Sequence, residues 1–456
     1  MQSSNSDLLY SLDDKPPIRQ TIVVAFQHIL ASFVGIVTPT LIIGSALGLD
    51  NEMPHLISMA LLASGIGTFI QSRRFGPVGS GLLTVQGTSF AFIGALLIAG
   101  ASVKSQGGSN ADIMAMMLGI SMAGALVEVI LSVFIHRLKT IITPLTTGIV
   151  ITAIGLSLIK VGMTDLAGGF GANNFGAPSE LSLGLVVVLV IVFLNASPLP
   201  LARLSAIFVG IAVGAIIAGM QGQLSIASAT TLPAFSLPHP FKYGIAFDWG
   251  LFLPVAFIYF FSAIETAGDL TANSLFCRLP VSGDSYLQRI KRGILADGIN
   301  SVIATSLNSF PNTTFGQNNG VIQLTGVASR RVGIAIGCLL MLLGLFPVIG
   351  GVLQGLPKPI IGGATLIMFA MVAVGGLKLL TQNPLTRRDS LIVASALGAG
   401  VGVMMVPSAL QGLPQWSQYA LSSPVTTSGL VAVLLTLTLP GKRHKRTTLK
   451  TEKEYS

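Results

Sequence analysis

Two carboxylic acids, Glu265 and Asp269, stand four residues apart in the run FSAIETAGDLTANS, inside a stretch otherwise apolar enough to cross a membrane. On a helix that spacing puts them on one face, a turn apart. Ionisable groups inside apolar spans cost about 2.5 to 3.5 kcal/mol on insertion scales and are functional candidates by default. Two carboxylates sharing one cavity cannot both carry charge cheaply, which would give a carrier a place to hold a proton. Pairing with a neighbouring helix end or hydroxyl would instead make either one structural. His28 in AFQHILASF, Glu128 and Asp297 in GILADGINS are the other ionisable residues at this depth. Asp297 is expected to accept hydrogen bonds from a polar half-strand or to cap a broken helix, a role as much structural as functional. His28 reads either as a polar bridge between helices or as a proton carrier. Glu128, closer to the cytoplasmic end, is expected to snorkel or pair with Arg137 and stays outside the site.

Carboxamides supply the second kind of chemistry. Gln317, Asn318 and Asn319 bring donors and acceptors together, and Gln86 with Ser89 brings more from another stretch. A carboxylate plus a carboxamide can each make two-point hydrogen bonds to a planar heterocycle bearing adjacent N–H and C=O groups, as a lactam-type nucleobase does. Phe90, Phe92, Phe260, Phe261 and Phe315 could stack on such a ring or simply pack. No metal-ligand cluster and no nucleophile–base pair is legible, which argues against an enzyme. Cys277 and Cys338 lack the spacing of a metal or redox motif.

These side chains need elements to hold them. The run PNTTFGQNNGVIQLTG, Pro311 to Gly326, is polar in its first half and helix-compatible only in its second, yet lies between apolar segments. Its partner is GSGLLTVQGTSFAF, Gly79 to Phe92, where Leu82 to Val85 is expected to be a short strand that turns at Gln86 and Gly87 into a half-helix. Unpaired backbone exposed to lipid costs several kcal/mol per group, so both stretches must be wrapped in protein around a polar cavity. Short, Gly-interrupted segments at corresponding places in two halves point to a transporter's midplane site, and the two half-helix N-termini would aim positive dipole ends into it.

The rest of the chain fits that setting. Of 456 residues 51% are hydrophobic and only 9% charged, with mean hydropathy +0.78 and 52 glycines, where a soluble protein would carry roughly a quarter charged residues. Counting roughly 20 residues per span gives fourteen segments, near 20–46, 54–72, 80–100, 112–135, 141–162, 181–196, 203–221, 250–274, 293–310, 312–327, 332–356, 359–380, 389–408 and 424–440. With both tails inside, only Lys104, Lys160, Lys242 and Lys358 of the 26 basic residues fall outside, as the positive-inside rule requires. The net charge of +9 is therefore a topology signal and a set of lipid headgroup contacts, not a nucleic-acid surface. The polar start of the chain reads as a cytosolic tail rather than a cleaved signal. The interrupted segments are third and tenth, the third of each seven, as two inverted repeats would place them. The reading is an all-α polytopic membrane protein of 14 segments, with half-strands in segments 3 and 10.

The run Gln317-Asn318-Asn319-Gly320 followed by Thr325-Gly326 resembles the signature [QEP]-N-x-G-x-x-x-x-T-[RKG] of the nucleobase-ascorbate transporters, also called nucleobase:cation symporter-2. The likeness continues through Gln27-His28, QGTSF at Gln86 to Phe90, ETAGD at Glu265 to Asp269 and LADG at Leu295 to Gly298. It implies a cytoplasmic tail 1–19, a core domain of 20–136 and 250–357, a gate domain of 137–249 and 358–440, and a basic cytoplasmic tail 441–456. It further implies proton-coupled import of a purine or pyrimidine by elevator-like movement, in a homodimer of the bacterial inner membrane, with the proton gradient in place of any cofactor. Carried over by motif, Glu265 and Gln317 bind the base and Asn318 shapes specificity. Asp269 and Asp297 serve coupling and site architecture, while His28 and Ser89 tune affinity and selectivity; Phe90 and Phe315 join them from the reading of the residues. Gln317 resembles the xanthine and urate branch, where uracil-type relatives carry Glu. Ser89 departs from xanthine-selective members with Asn there and keeps uric acid open. The alternatives are a uracil or pyrimidine symporter and an anion exchanger of the same fold.

Overall fold

The computed structural model describes residues 8–134, 143–169, 172–224, 232–281, 283–316, 318–381 and 384–440. Gln317, Arg137, residues 1–7 and the basic tail 441–456 lie outside them. The helices are α1 (Ile18–Leu47), α2 (Met53–Arg73), α3 (Ile93–Ser105), α4 (Asn110–Phe134), α5 (Pro144–Leu166), α6 (Pro178–Ala196), α7 (Pro200–Met220), α8 (Trp249–Phe276), α9 (Asp284–Ser306), α10 (Asn318–Thr325), α11 (Arg330–Gly344), α12 (Pro347–Gln354), α13 (Lys358–Leu380), α14 (Arg387–Met405), α15 (Gln415–Ser422) and α16 (Pro424–Thr438). Among the described residues there are also two strands, β1 (Gln86–Thr88) and β2 (Asn312–Thr314), and two 3-10 turns, Phe90–Phe92 and Pro407–Leu410.

Local chemistry sets several of these boundaries. Thr143 and Thr146 close a capping box before Pro144 at the start of α5, Thr386 and Asp389 do the same for α14, and Asp248 accepts from the Leu251 amide at the start of α8. Such caps satisfy amides that have no partner within the helix. Among the described residues, eight helices are long and apolar enough to cross a membrane, and the pair α11–α12, bent by 74°, makes up to nine. The fourteen expected segments include stretches that cannot pass such a test. Segments 3 and 10 are split between a strand and a half-helix, α9 opens on a charged turn, and α16 has 15 residues.

The helices pair α2 with α11, α4 with α9, α5 with α13, α6 with α7, and α14 with α16. Small residues allow the closest approaches. A Cβ built on Gly337 of α11 would lie 2.8 Å from the Phe69 amide nitrogen and 2.9 Å from the Gly65 carbonyl oxygen of α2.

Two connections are tied to the bundle. Ahead of α8, Phe241 N donates to Ser306 O at 2.9 Å and Ala246 N to Ala115 O at 2.9 Å, while the Lys242 ammonium meets Glu52 at 2.8 Å and the Tyr243 hydroxyl donates to the same carboxylate. Burial alone would raise the Glu52 carboxyl, but the Lys242 and Tyr243 hydrogen bonds leave it below its ordinary value. At the other face the amino-terminal segment runs beside the turn after α10. Leu9 N donates to Gly326 O at 2.8 Å, Ala328 N to Tyr10 O at 2.9 Å and Arg330 N to Leu12 O at 3.0 Å, and Ser329 Oγ donates to Asp14 O at 2.6 Å.

Replacing Gly337 by Val is expected to push α2 and α11 apart and cost about 1–3 kcal/mol. Thermal unfolding of the detergent-solubilised protein should show a lower midpoint, and an unchanged midpoint would contradict this packing.

Candidate substrate site

The two interrupted segments meet. β1 and β2 pair antiparallel, with Gln86 opposite Thr314, Gly87 opposite Thr313 and Thr88 opposite Asn312. This corrects the expectation that Leu82–Val85 forms the strand and that Gln86 and Gly87 form a turn. A ladder exists only where a partner strand lies, and β2 faces residues 86–88. The extended run before β1 is satisfied in other ways: Ser80 N donates to the Gln71 side chain at 2.8 Å, Gln86 N to Thr68 Oγ1 at 2.9 Å, and Asn273 Nδ2 to Leu83 O at 2.8 Å. Past the strands, a 3-10 turn (Phe90–Phe92) leads into α3, and α10 starts at Asn318.

Asp297 on α9 holds the ribbon in place. Its fully buried carboxylate accepts from Gln71 Nε2 of α2 at 2.7 Å, from the Thr266 hydroxyl of α8, and from both the amide (3.1 Å) and hydroxyl (3.0 Å) of Thr314 in β2. Three elements thus converge on one acid of a fourth. Gln86 Nε2 donates to Thr314 Oγ1 at 2.8 Å, and Ser301 bonds both the carbonyl and amide of Asn312, at 2.9 and 3.1 Å. The hydrogen bonds expected from the polar half-strand are therefore present.

Glu265 and Asp269 differ from Asp297. Both are half-buried, Gly268 between them is exposed, and neither carboxylate has a hydrogen-bond partner among the described residues. Asp269 lies against the turn before α10, so that a Cβ on Gly316 would come within 2.8 Å of its Cγ. The Asp269 carbonyl accepts from Asn319 Nδ2 at 3.3 Å. The two acids therefore keep their hydrogen-bonding capacity, one turn apart beside the broken segment.

Buried His28 of α1 is the bridge that the sequence suggested. Asn318 Nδ2 lies 3.0 Å from His28 Nδ1 and donates to the His28 carbonyl at 3.3 Å, and His28 Nε2 has no partner among the described residues. Asn318 Oδ1 is also unpaired. Ser89 is buried and does not cap its own helix. Phe90 stacks on Phe315 at 6.4 Å and 18° between planes, while Phe92 lies 4.5 Å from the Tyr259 ring and Phe260 5.4 Å from Phe261.

Sequence reasoning missed several members of this arrangement. Gln71, Thr266 and Thr314 bind Asp297, and Phe369 of α13 meets Phe90 edge-on at 5.4 Å. Gln71 left a signal, being an amide inside an apolar helix. Phe369 left none, since one Phe among many in apolar helices is unmarked. Glu128 is a correction: it is fully buried with both carboxylate oxygens unpaired. It sits on the face of α4 that meets α8 and α9, which cover the side chain and leave it no path to snorkel, while the expected partner Arg137 lies outside the described residues.

The sequence model of the Xan_ur_permease family, described as a permease family, matches residues 19–409. Xanthine permease XanP of Escherichia coli (strain K12) is 43% identical over 447 residues, covering 97% of this chain and 96% of that protein. Xanthine permease XanQ of the same organism is 45% identical over 442 residues, covering 96% and 95%. A uric acid-xanthine permease of Emericella nidulans is 30% identical over 478 residues, covering 95% and 83%. In fold, the chain resembles the transmembrane domain of a cyanobacterial bicarbonate transporter, BicA, with TM-score 0.57, 15% identity and coverage of 90% of this chain and 99% of that one. It also resembles the murine anion transporter Slc26a9, with TM-score 0.60 and 15% identity, covering 88% and 69%.

Asp297→Ala is expected to leave Gln71, Thr266 and Thr314 unsatisfied, at about 1–3 kcal/mol per buried donor. Glu265→Gln breaks no internal bond and should leave stability nearly unchanged. Comparing the melting of both purified variants by size-exclusion chromatography checks the contrast; equal losses would contradict the division between scaffold and open carboxylates.

Proposed function

The chain belongs to the permease family whose model spans it, and from that premise we propose that it imports purine nucleobases, xanthine first and uric acid second, together with protons. It is a multi-pass membrane protein, and its named relatives are permeases rather than enzymes. The observation that carries the reading is the pair of partly accessible acids, their carboxylates without a hydrogen-bond partner among the described residues, beside the β1–β2 ribbon, in a chain 43% and 45% identical to xanthine permeases.

In this reading the base lies between the two half-helices. The Glu265 carboxylate accepts two adjacent N–H groups of the ring, a two-point contact that fixes its orientation. Gln317, assigned by sequence motif alone, completes the polar edge, and Phe90 and Phe315 supply an apolar wall. Asp269 takes part in proton binding, Asp297 holds the ribbon against α2, α8 and α9, and Asn318 with His28 sets the position of α10. Protons enter with the base and leave to the more alkaline cytoplasm, so neither moves far without the other.

Alternating access would come from movement of the core (20–136 and 250–357) against the gate (137–249 and 358–440). Supporting this division, the helix partners recur at an interval of seven segments: α2 with α11 mirrors α9 with α4, α6 with α7 mirrors α14 with α16, and α5 with α13 is its own mirror. Phe369 of the gate touching Phe90 of the core puts an aromatic contact where the two would slide. A homodimer in the bacterial inner membrane with both tails cytoplasmic completes the proposal.

Uptake of labelled xanthine, uric acid, hypoxanthine, guanine and uracil, with and without a protonophore, tests it. Xanthine and uric acid should accumulate unmodified and the protonophore should abolish accumulation. Glu265→Ala should remove xanthine uptake, a loss of about 100-fold or more if two charge-assisted hydrogen bonds of roughly 1.5–3 kcal/mol each disappear. Preference for uracil would favour a pyrimidine symporter, and chloride-driven exchange without proton movement would favour an anion exchanger. Counterflow of xanthine unaffected by Glu265→Ala would refute the site.

A further inference from the structure

Glu128 plays no part in the transport cycle as described, yet it sits where an acid is hard to account for. It is fully buried inside an apolar helix, and neither carboxylate oxygen has a hydrogen-bond partner among the described residues. The backbone of α9 presses on α4 beside it: a Cβ on Gly298 would stand 3.0 Å from Val129 N and 3.2 Å from Ala125 O. Gly298 follows Asp297 directly. One turn before Glu128, Gly124 receives the Tyr259 ring of α8, and the Tyr259 hydroxyl is near both Glu128 and Ser301, a helical turn beyond Asp297. Among the described residues, the charged groups whose fields reach Glu128 are Asp297 of α9 and Glu265 of α8, and no cation is among them.

The two neighbouring acids have opposite surroundings. Asp297 receives four donors, an environment that solvates a carboxylate, whereas Glu128 receives none. A bare carboxylate in hydrocarbon-like surroundings is far more costly than a neutral acid. In the arrangement seen here, then, the negative charge belongs on Asp297 and the proton on Glu128. That balance depends on Thr266 and Thr314, which belong to α8 and β2, the same elements that carry the open acids and the ribbon.

We propose that Glu128 is a proton-binding station of the transport cycle, exchanging its proton with Asp297 whenever the ribbon and α8 shift. When Thr266 and Thr314 withdraw, Asp297 loses the donors that favour its charge. The O–H bond at Glu128 then breaks as one forms at Asp297, and the pair keeps a single negative charge throughout. The proton crosses by way of the Tyr259 hydroxyl, which is otherwise unpartnered among the described residues and whose own O–H breaks and re-forms. Return of the threonines sends the proton back. Glu128 would thus act through Asp297 without touching the substrate, and the inference rests on the reading of this chain as a proton-coupled carrier.

The test uses the full chain reconstituted in proteoliposomes, with labelled xanthine followed by counterflow at equal pH and by accumulation under an imposed pH gradient. Glu128→Gln, which resembles the neutral acid but cannot give up a proton, should keep counterflow while gradient-driven accumulation falls by about 100-fold or more, the scale of a lost proton-transfer group. Glu128→Asp should restore accumulation with a shifted pH profile. Accumulation by Glu128→Gln with the original pH profile would overturn the proposal. So would loss of counterflow in Glu128→Gln combined with an unshifted profile in Glu128→Asp, which would make the residue structural. Failure of the unsubstituted protein to exchange xanthine would instead remove the functional reading itself, and this inference with it.

Discussion

Non-helical backbone at membrane depth is stable only if every amide and carbonyl finds a partner inside the protein, and this constraint shapes the centre of the molecule. Segments 79–92 and 311–326 both break the helical pattern, so neither could stand alone in hydrocarbon. Each supplies the other with a three-residue ladder, and the remaining groups are met by Gln71, Thr68, Ser301 and Asn273 from surrounding helices. Asp297 is what those partners share. By joining α2, α8 and β2 to α9, one carboxylate fixes the ribbon that in turn sets the positions of Phe90, Phe315 and the start of α10.

The scaffold and the site separate along this line. Acids that hold the structure together spend their lone pairs internally, as Asp297 does. Glu265 and Asp269 keep theirs and are partly accessible, one turn apart on α8. The same division runs through the aromatic residues. Phe92 is committed to Tyr259, whereas Phe90 lies between Phe315 on one side and Phe369 of a distant helix on the other.

Much of this was legible in the sequence because a membrane makes polarity conspicuous. An acid, an amide run or a glycine-interrupted stretch stands out against apolar helices, so Glu265, Asp269, Asp297 and the pairing of the two broken segments could be read from composition and spacing. The strand position was off by a few residues, since Leu82–Val85 has the better β propensity but only Gln86–Thr88 has a strand to face; propensity yields to partner availability. Glu128 was misplaced for a related reason. Distance along a helix suggested escape toward a charged loop, while burial is set by which helices cover that face, and α8 and α9 cover it completely. Gln71 shows the converse, an amide whose meaning depends wholly on an acid 226 residues away.

The strap formed by residues 9–14 along the turn after α10 has a practical side. It supplies amide donors to Gly326 and carbonyl acceptors to Ala328, Ser329 and Arg330, and these lie immediately downstream of the short helix that Asn318 begins. Trimming the chain past Leu8 to aid purification would strip hydrogen bonds from the far end of that helix, so tags and truncations are better accommodated ahead of the strap than within it.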